Sequence, residues 1–185
     1  VASEYPTECS SCNVPSPPAP VPLAPGQLWW QLWGANASAA ATGLVAAMSR
    51  DEKFQIVEGL PAAWTGFDVT PGYYVGTIRG ISRLGLPAML FQDAQSGFRT
   101  LDVRTVGTVT PWPSMAALSA SWDVELANRM GGAIGREFKI KGANGLLGPG
   151  VDIARVPSAG RNAESLSGED GHLGGPLAKE YIRGV

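Results

Sequence analysis

The sequence predicts an α/β fold of the parallel kind, and three features point to it. From residue 86 onward an apolar strand, a polar loop and an amphipathic helix follow one another twice, the alternation that lays parallel strands beneath crossover helices. The apolar runs are short and bounded by Gly or Pro, as the strands of a covered sheet are. Glycine (24) and proline (15) are too frequent for a helical bundle and imply many turns around short elements.

The 185 residues, 44% of them hydrophobic, suffice for one domain with a sizeable core. A net charge of −2 with scattered Lys and Arg offers no basic stripe, so nucleic acid is excluded as a partner. No apolar run approaches the ~20 residues that cross a bilayer. The opening "VASEYPTECSSC" lacks the charged start and apolar core of a signal peptide, so any signal is expected to have been removed.

Residues 1–40 read as an arm, because "NVPSPPAPVPLAPG" favours extended polyproline-like chain and cannot build a core. Cys9 and Cys12, in "CSSC", lack the helix-start context of a redox pair and the four ligands of a structural zinc. They read as a local disulfide or as bridges to cysteines elsewhere. Trp29, Trp30 and Trp33 are expected to anchor the arm by burial rather than to stack on sugars. Asn36-Ala37-Ser38 is an N-glycosylation acceptor, and with the cysteines it favours a secreted, extracellular protein.

Residues 41–185 carry the folded elements. Leu44, Val45, Met48, Phe54, Ile56 and Val57 recur at helical spacing, and Ser49-Arg50-Asp51-Glu52 brings cap chemistry into the middle, so two short helices are expected to turn near Ser49. "YYVGTIRGI" (73–81) and "LPAMLFQD" (86–93) read as buried strands joined by "SRLG". In 121–142, Val124, Leu126, Ala127, Met130, Ile134 and Phe138 share a helix face, Ser121 or Asp123 can cap its start, and Gly142 stands at its end. "ANGLLGPGVDI" (143–153) reads as another buried strand. A last helix begins near Gly171, with Leu177, Ala178, Tyr181 and Ile182 on its apolar side.

In parallel α/β folds, the loops after strand C-termini converge on one face and carry the chemistry. Two such loops are polar here. "LFQDAQSGFR" places Asp93 where its strand ends, fixed by a rigid element yet able to face a cleft; a turn cap is the competing role. "ARVPSAGRNAESLSGEDG" carries Arg161, whose fork of donors suits vicinal hydroxyls or a carboxylate, with Glu164, Glu169 and Asp170 at hand to hold the guanidinium; an ion-paired surface loop is the competing role. His172, the only histidine, has no second histidine or cysteine near it and reads as a capping or surface residue; no metal site is expected.

The segments "MSRDEKFQIVEG", "ISRLGLPAMLFQDAQSGFR" and "WPSMAALSASWDVELANRMGGAIGREFKIKGANGLLGPGVDIARVPSAGRNAESLSGEDGHLGGPLAKEYIRGV", in this order, resemble the N-terminal part of the catalytic barrel of glycoside hydrolase family 3. The resemblance implies the first portion of a (β/α)8 TIM-type barrel, incomplete in this chain. It implies an exo-acting, retaining β-glucosidase-like hydrolase that needs no cofactor. Asp93 and Arg161 would bind the sugar in the innermost subsite, Arg99 would shape the cleft and Asp152 would lie in a strand. The nucleophile and the acid/base would lie beyond Val185, so the chain is expected to be one piece of a larger enzyme. A non-catalytic, glycan-binding or cell-surface structural member of the family is the alternative. Ala94-Gln95-Ser96 departs from the small residues and proline usual in the family, as His172 departs from an aromatic, and both changes bear on the pocket wall.

Overall fold

A computed structural model describes residues 33–59, 73–100 and 102–185. Its elements are α1 (Trp33–Ala47), α2 (Arg50–Glu58), β1 (Gly76–Ile78), β2 (Met89–Asp93), α3 (Met115–Ser119), α4 (Val124–Ile140), β3 (Gly145–Leu147) and α5 (Gly171–Gly184). Most of the proposed arm, with Cys9, Cys12, Trp29 and Trp30, lies outside the described residues. α1 starts at Trp33, inside the 1–40 segment, and is kinked at Asn36, whose φ of −160° is extended. Asn36 is exposed, and its Oδ1 accepts a hydrogen bond from the Ala39 amide at 3.0 Å, starting the helix anew.

The break between α1 and α2 falls at Ser49, as its cap chemistry implies. Ser49 Oγ accepts from the Glu52 amide at 3.2 Å, and Glu52 Oε2 accepts from the Ser49 amide at 2.8 Å, a reciprocal box that satisfies two amides left open at a helix start. Arg83 closes on the same carboxylate and also donates to Ala47 O at 2.9 Å, so the turn at Ser82–Leu84 is tied to the α1–α2 corner. Leu44, Met48 and Ile81 are buried together beneath it.

The three strands form one sheet in the order β1-β2-β3. β2 and β3 pair in parallel, with Asp93 opposite Leu147, and α4 makes the crossover expected between parallel neighbours. β1, in contrast, pairs antiparallel with β2, Gly76 opposite Phe91. The physical reason is length: residues 79–88 are too few for a crossover, which needs a dozen or more, so the chain can only turn back. Gly85, at φ +65°, supplies the left-handed residue of that turn.

Two strands are shorter than the apolar runs suggest. β3 stops at Leu147, because Pro149 has no amide hydrogen to give a ladder. Asp152 therefore lies in exposed loop rather than in a strand, and its Oδ2 accepts from Ser165 Oγ at 2.8 Å. Nor are the strands buried on both faces: Met89 is 46% and Leu147 44% exposed.

α4 and α5 build the main core. Asp123 caps α4 through the Leu126 amide at 2.9 Å, and Gly142 at φ +81° follows its end. Ala127, Met130, Ile134 and Phe138 are buried on α4, Leu177 and Tyr181 on α5. Val124 and Ile182, assigned to those faces from spacing, are turned outward at 42% and 61% exposure. The helices touch backbone to backbone: a Cβ on Gly131 would stand 2.2 Å from Tyr181 O, and one on Gly184 2.0 Å from Asn128 O. Asn128 Nδ2 adds a hydrogen bond to Glu180 O at 3.1 Å.

Candidate functional site

At the C-terminal edge of the parallel pair, the 93–99 loop and the 148–170 loop face each other. Each is held by buried contacts of its own. Gln92, wholly buried just before the strand end, donates through Nε2 to Tyr73 O (2.8 Å) and Arg99 O (3.0 Å), and accepts through Oε1 from the Val75 and Asp93 amides, both at 3.2 Å. One side chain thus fixes the backbone at both ends of the first loop. Phe98 seats the loop's middle in an aromatic cluster, edge-on to Tyr73, Tyr74 and Phe138 with ring centres 5.8, 6.5 and 5.1 Å away. Gly97 makes that path possible: at φ +104°, a Cβ there would stand 2.5 Å from Thr110 O.

The second loop folds back on itself around Ser165, Leu166 and Ser167, all buried. Leu166 donates its amide to Gly150 O at 2.8 Å, Ser167 Oγ donates to Asp152 O at 3.0 Å, and Asn162 Nδ2 donates to Val156 O at 3.0 Å. Arg161 and Glu164 then stand at either end of a short 3-10 turn, Asn162–Glu164.

Between the loops lies an open cavity of about 590 Å³, with Asp93, Arg99, Arg161 and Glu164 in its polar wall and Gln95 and Ser96 beside them. Two ion pairs organise it. Arg99 Nη1 donates to Asp93 Oδ2 at 2.6 Å. Arg161 meets Glu164 fork to fork, Nε to Oε1 at 2.8 Å and Nη2 to Oε2 at 2.7 Å. The hydrogen bonds from Glu164 push the Arg161 guanidinium further up, with the fields of Glu164, Asp93 and Asp152 adding; Arg161 in turn holds Glu164 below the usual carboxylate range.

Each pair leaves capacity unused. Asp93 keeps its second oxygen and is 40% exposed, while Arg161, 80% exposed, keeps its Nη1 donors free of partners among the described residues. An acceptor and a planar set of donors across an open cavity can bind a ligand dense in hydroxyls.

The structure therefore brings Asp93, Arg99, Arg161 and Glu164 together. Of the acids near Arg161 in sequence, only Glu164 grips it. Asp170 caps α5 instead, its Oδ1 accepting from the His172 and Leu173 amides at 2.8 and 3.3 Å. His172 contributes only its backbone there and is exposed. Among the described residues no three His, Cys, Asp or Glu side chains converge as a metal site would require, and no helix is long and apolar enough to cross a membrane. Gln92 escaped the sequence, where the one available signal is a polar residue facing inward in an apolar strand; Gln95, singled out there as a change in the pocket wall, lines the cavity.

Residues 73–185 match the family model described as the glycosyl hydrolase family 3 N terminal domain. The chain is 36% identical over 174 residues to "Probable beta-glucosidase M" of Emericella nidulans, a match covering 92% of this chain and 20% of that protein. It is 37% identical over 172 residues to "Beta-glucosidase A" of Aspergillus kawachii, covering 92% and 18%. Among solved structures, beta-glucosidase 3B from Thermotoga neapolitana in complex with alpha-D-glucose superposes with a TM-score of 0.66 at 30% identity, over 78% of this chain and 21% of that one. The chain thus spans about a fifth of the length of the relatives it matches.

Proposed function

Since this chain belongs to glycosyl hydrolase family 3, we propose that it supplies the sugar-holding wall of an exo-acting, retaining β-glucosidase. The observation that carries this reading is the meeting of Asp93 and Arg161 in one cavity although 67 residues separate them in the sequence. The beta-glucosidases it resembles make a terminal β-linked glucose the natural occupant. Asp93 accepts from hydroxyls of that sugar, and Arg161 donates to it through the edge that Glu164 leaves free. Arg99 holds the Asp93 carboxylate at the cleft wall. Fixing the sugar in this way makes the later attack on its anomeric carbon effectively intramolecular.

Retaining chemistry needs two carboxyls about 5 Å apart, one to form a glycosyl-enzyme and one to move the proton, and it calls for no metal or cofactor. In this reading Asp93, paired with Arg99, receives the hydroxyls of the sugar and Glu164 holds Arg161, so both carboxylates are given to binding rather than to bond cleavage. We assign the nucleophile and acid/base to polypeptide outside these residues, the remaining segment or subunit of the same enzyme. The β2-α4-β3 unit then belongs to a (β/α)8 barrel whose next strand pairs with the outer edge of β3. Secretion, with a glycan on the exposed Asn36, completes the reading.

The test is Asp93→Ala in the intact protein. Two hydrogen bonds from sugar hydroxyls to an ionised acceptor are together worth about 3–6 kcal/mol, so kcat/KM for an aryl β-glucoside should fall by roughly 10²–10⁴ with unchanged circular dichroism. Unaltered turnover would remove Asp93 from the site.

A further inference from the structure

A second brace reaches the first loop at its tip. Ser96 and Gly97 belong to the cavity wall with Asp93 and Arg99, and both rest against residues 108–112. The Trp112 amide donates to Ser96 O at 3.0 Å, and a Cβ on Gly97 would stand 2.7 Å from Trp112 Cδ1, so the two segments meet without slack. Residues 106–114 carry no helix or strand, so side chains have to hold them in place. Two from the end of α4 do so. Glu137 Oε1 accepts from the Thr110 amide at 3.0 Å and its Oε2 from Trp112 Nε1 at 3.4 Å. Lys141 Nζ donates to Thr108 Oγ1 at 2.8 Å and stands 5.6 Å from the centre of the Phe98 ring. The half-buried Glu137 carboxylate thus spends both oxygens on neutral donors of one segment, the one that touches the loop tip.

We propose that Glu137 is a positioning residue for sugar binding: by holding Thr110 and Trp112 it fixes the segment against which Ser96 and Gly97 rest, and thereby sets that part of the cavity wall. This rests on the sugar-holding reading of the cavity given above. Every link is a direct contact, from the carboxylate to Thr110 and Trp112, from the Trp112 amide to the Ser96 carbonyl, and from Ser96 to the cavity. The brace through Gln92 does not replace it, because Gln92 ties the backbone at 93 and 99 and leaves the tip between them. Within the loop, the Gly97 amide donates to Ala94 O at 3.2 Å, a turn that shapes the tip without placing it against α4. Loss of the carboxylate frees Thr110 and Trp112, while Val109, packed against the main core, and the Lys141 contact keep the rest of the segment in place. The effect therefore falls on binding more than on folding.

Glu137→Gln and Glu137→Ala in the intact protein, with Gly131→Ala beside them, separate this role from a merely structural one. Glutamine keeps the length but offers one acceptor oxygen to two donors, and alanine offers none. With an aryl β-glucoside, KM should rise about 3-fold for Glu137→Gln and about 10-fold for Glu137→Ala, with kcat changed less than about 2-fold, because the wall is lost to ground state and transition state alike. The inhibition constant for glucose should rise by the same factors. Gly131→Ala disturbs the contact of α4 with Tyr181 and touches neither loop, so well below its Tm it should keep the parent KM. A Glu137→Gln protein with the KM and glucose inhibition constant of the parent overturns the proposal, whether or not Glu137→Ala folds. So does a Gly131→Ala protein whose KM rises as far as that of Glu137→Gln. Absence of turnover in the unaltered protein would overturn the sugar-holding reading and this proposal with it, whereas turnover with either of those two results overturns the proposal alone.

Discussion

Asp93 and Arg161 are placed by opposite means, one at the end of a hydrogen-bonded strand and the other on a loop that must brace itself. For Asp93 the bracing residue is Gln92, whose amide spends both of its ends on backbone groups flanking the loop. Gln92→Leu keeps the bulk but leaves those buried groups unpaired. It should lower unfolding free energy by about 3 kcal/mol or more, measured by urea denaturation of the intact protein; a loss under ~1 kcal/mol would show that the loop is held by Phe98 alone. For Arg161 the fork matters as much as the charge. Arg161→Lys cannot hold Glu164 through two parallel bonds and should raise KM for an aryl β-glucoside by about tenfold or more. Asp93 and Arg161 stand out in the sequence as charged groups in loops after apolar strands, but position alone left a cap for the one and a surface ion pair for the other; only the resemblance to glycoside hydrolase family 3 pointed them at a sugar. The partner of each arginine was harder to read: Asp170 and Glu164 are equally acidic in sequence, and only the start of α5 shows that Asp170 is already committed as its cap.

Among the elements, caps and turns were the most readable features and strand partners the least. Ser49, Asp123 and Gly142 mark helix boundaries through local chemistry, which sequence carries directly. The antiparallel β1–β2 pairing follows instead from connection length, and the contact of α4 with α5 from glycines whose value appears only when the helices meet. Gly131→Ala would drive a methyl into Tyr181 O and should cost about 1–3 kcal/mol, a loss of several degrees in Tm. Tyr181→Phe goes the other way. Burial pushes the Tyr181 hydroxyl up to about 12, and that hydroxyl has no partner among the described residues, so removing it should leave Tm unchanged or higher. At the α2 corner, the Arg83 and Ser49 hydrogen bonds lower Glu52 from 4.5 to about 2. Because the folded value lies below the unfolded one, its stabilisation is complete above pH 4.5 and is lost as pH falls from there towards 2. Glu52→Gln should therefore flatten the acid limb of a Tm-against-pH curve over that window.

At the scale of the whole molecule, an open sheet edge and exposed apolar side chains lie together among the described residues. The outer edge of β3 pairs with no strand among the described residues, and Leu147, Val151 and Ile153 stand 44–61% exposed beside it. An open edge flanked by apolar side chains invites association. Residues 1–185 produced alone should bind a hydrophobic dye and aggregate with rising concentration, whereas a sharp, concentration-independent melt would show that the segment is self-sufficient. This surface also bears on why the strands read as fully buried: their apolar pattern is that of a covered sheet, whereas among the described residues Met89 and Leu147 stand 46% and 44% exposed. What the two strand-end loops hold is open to one direct measurement, a crystal structure of the intact protein with glucose bound. Sugar hydroxyls should lie ~2.6–3.2 Å from Asp93 and from Arg161, with Glu164 still gripping the arginine; a sugar bound in a cleft that neither residue reaches would contradict the assignment.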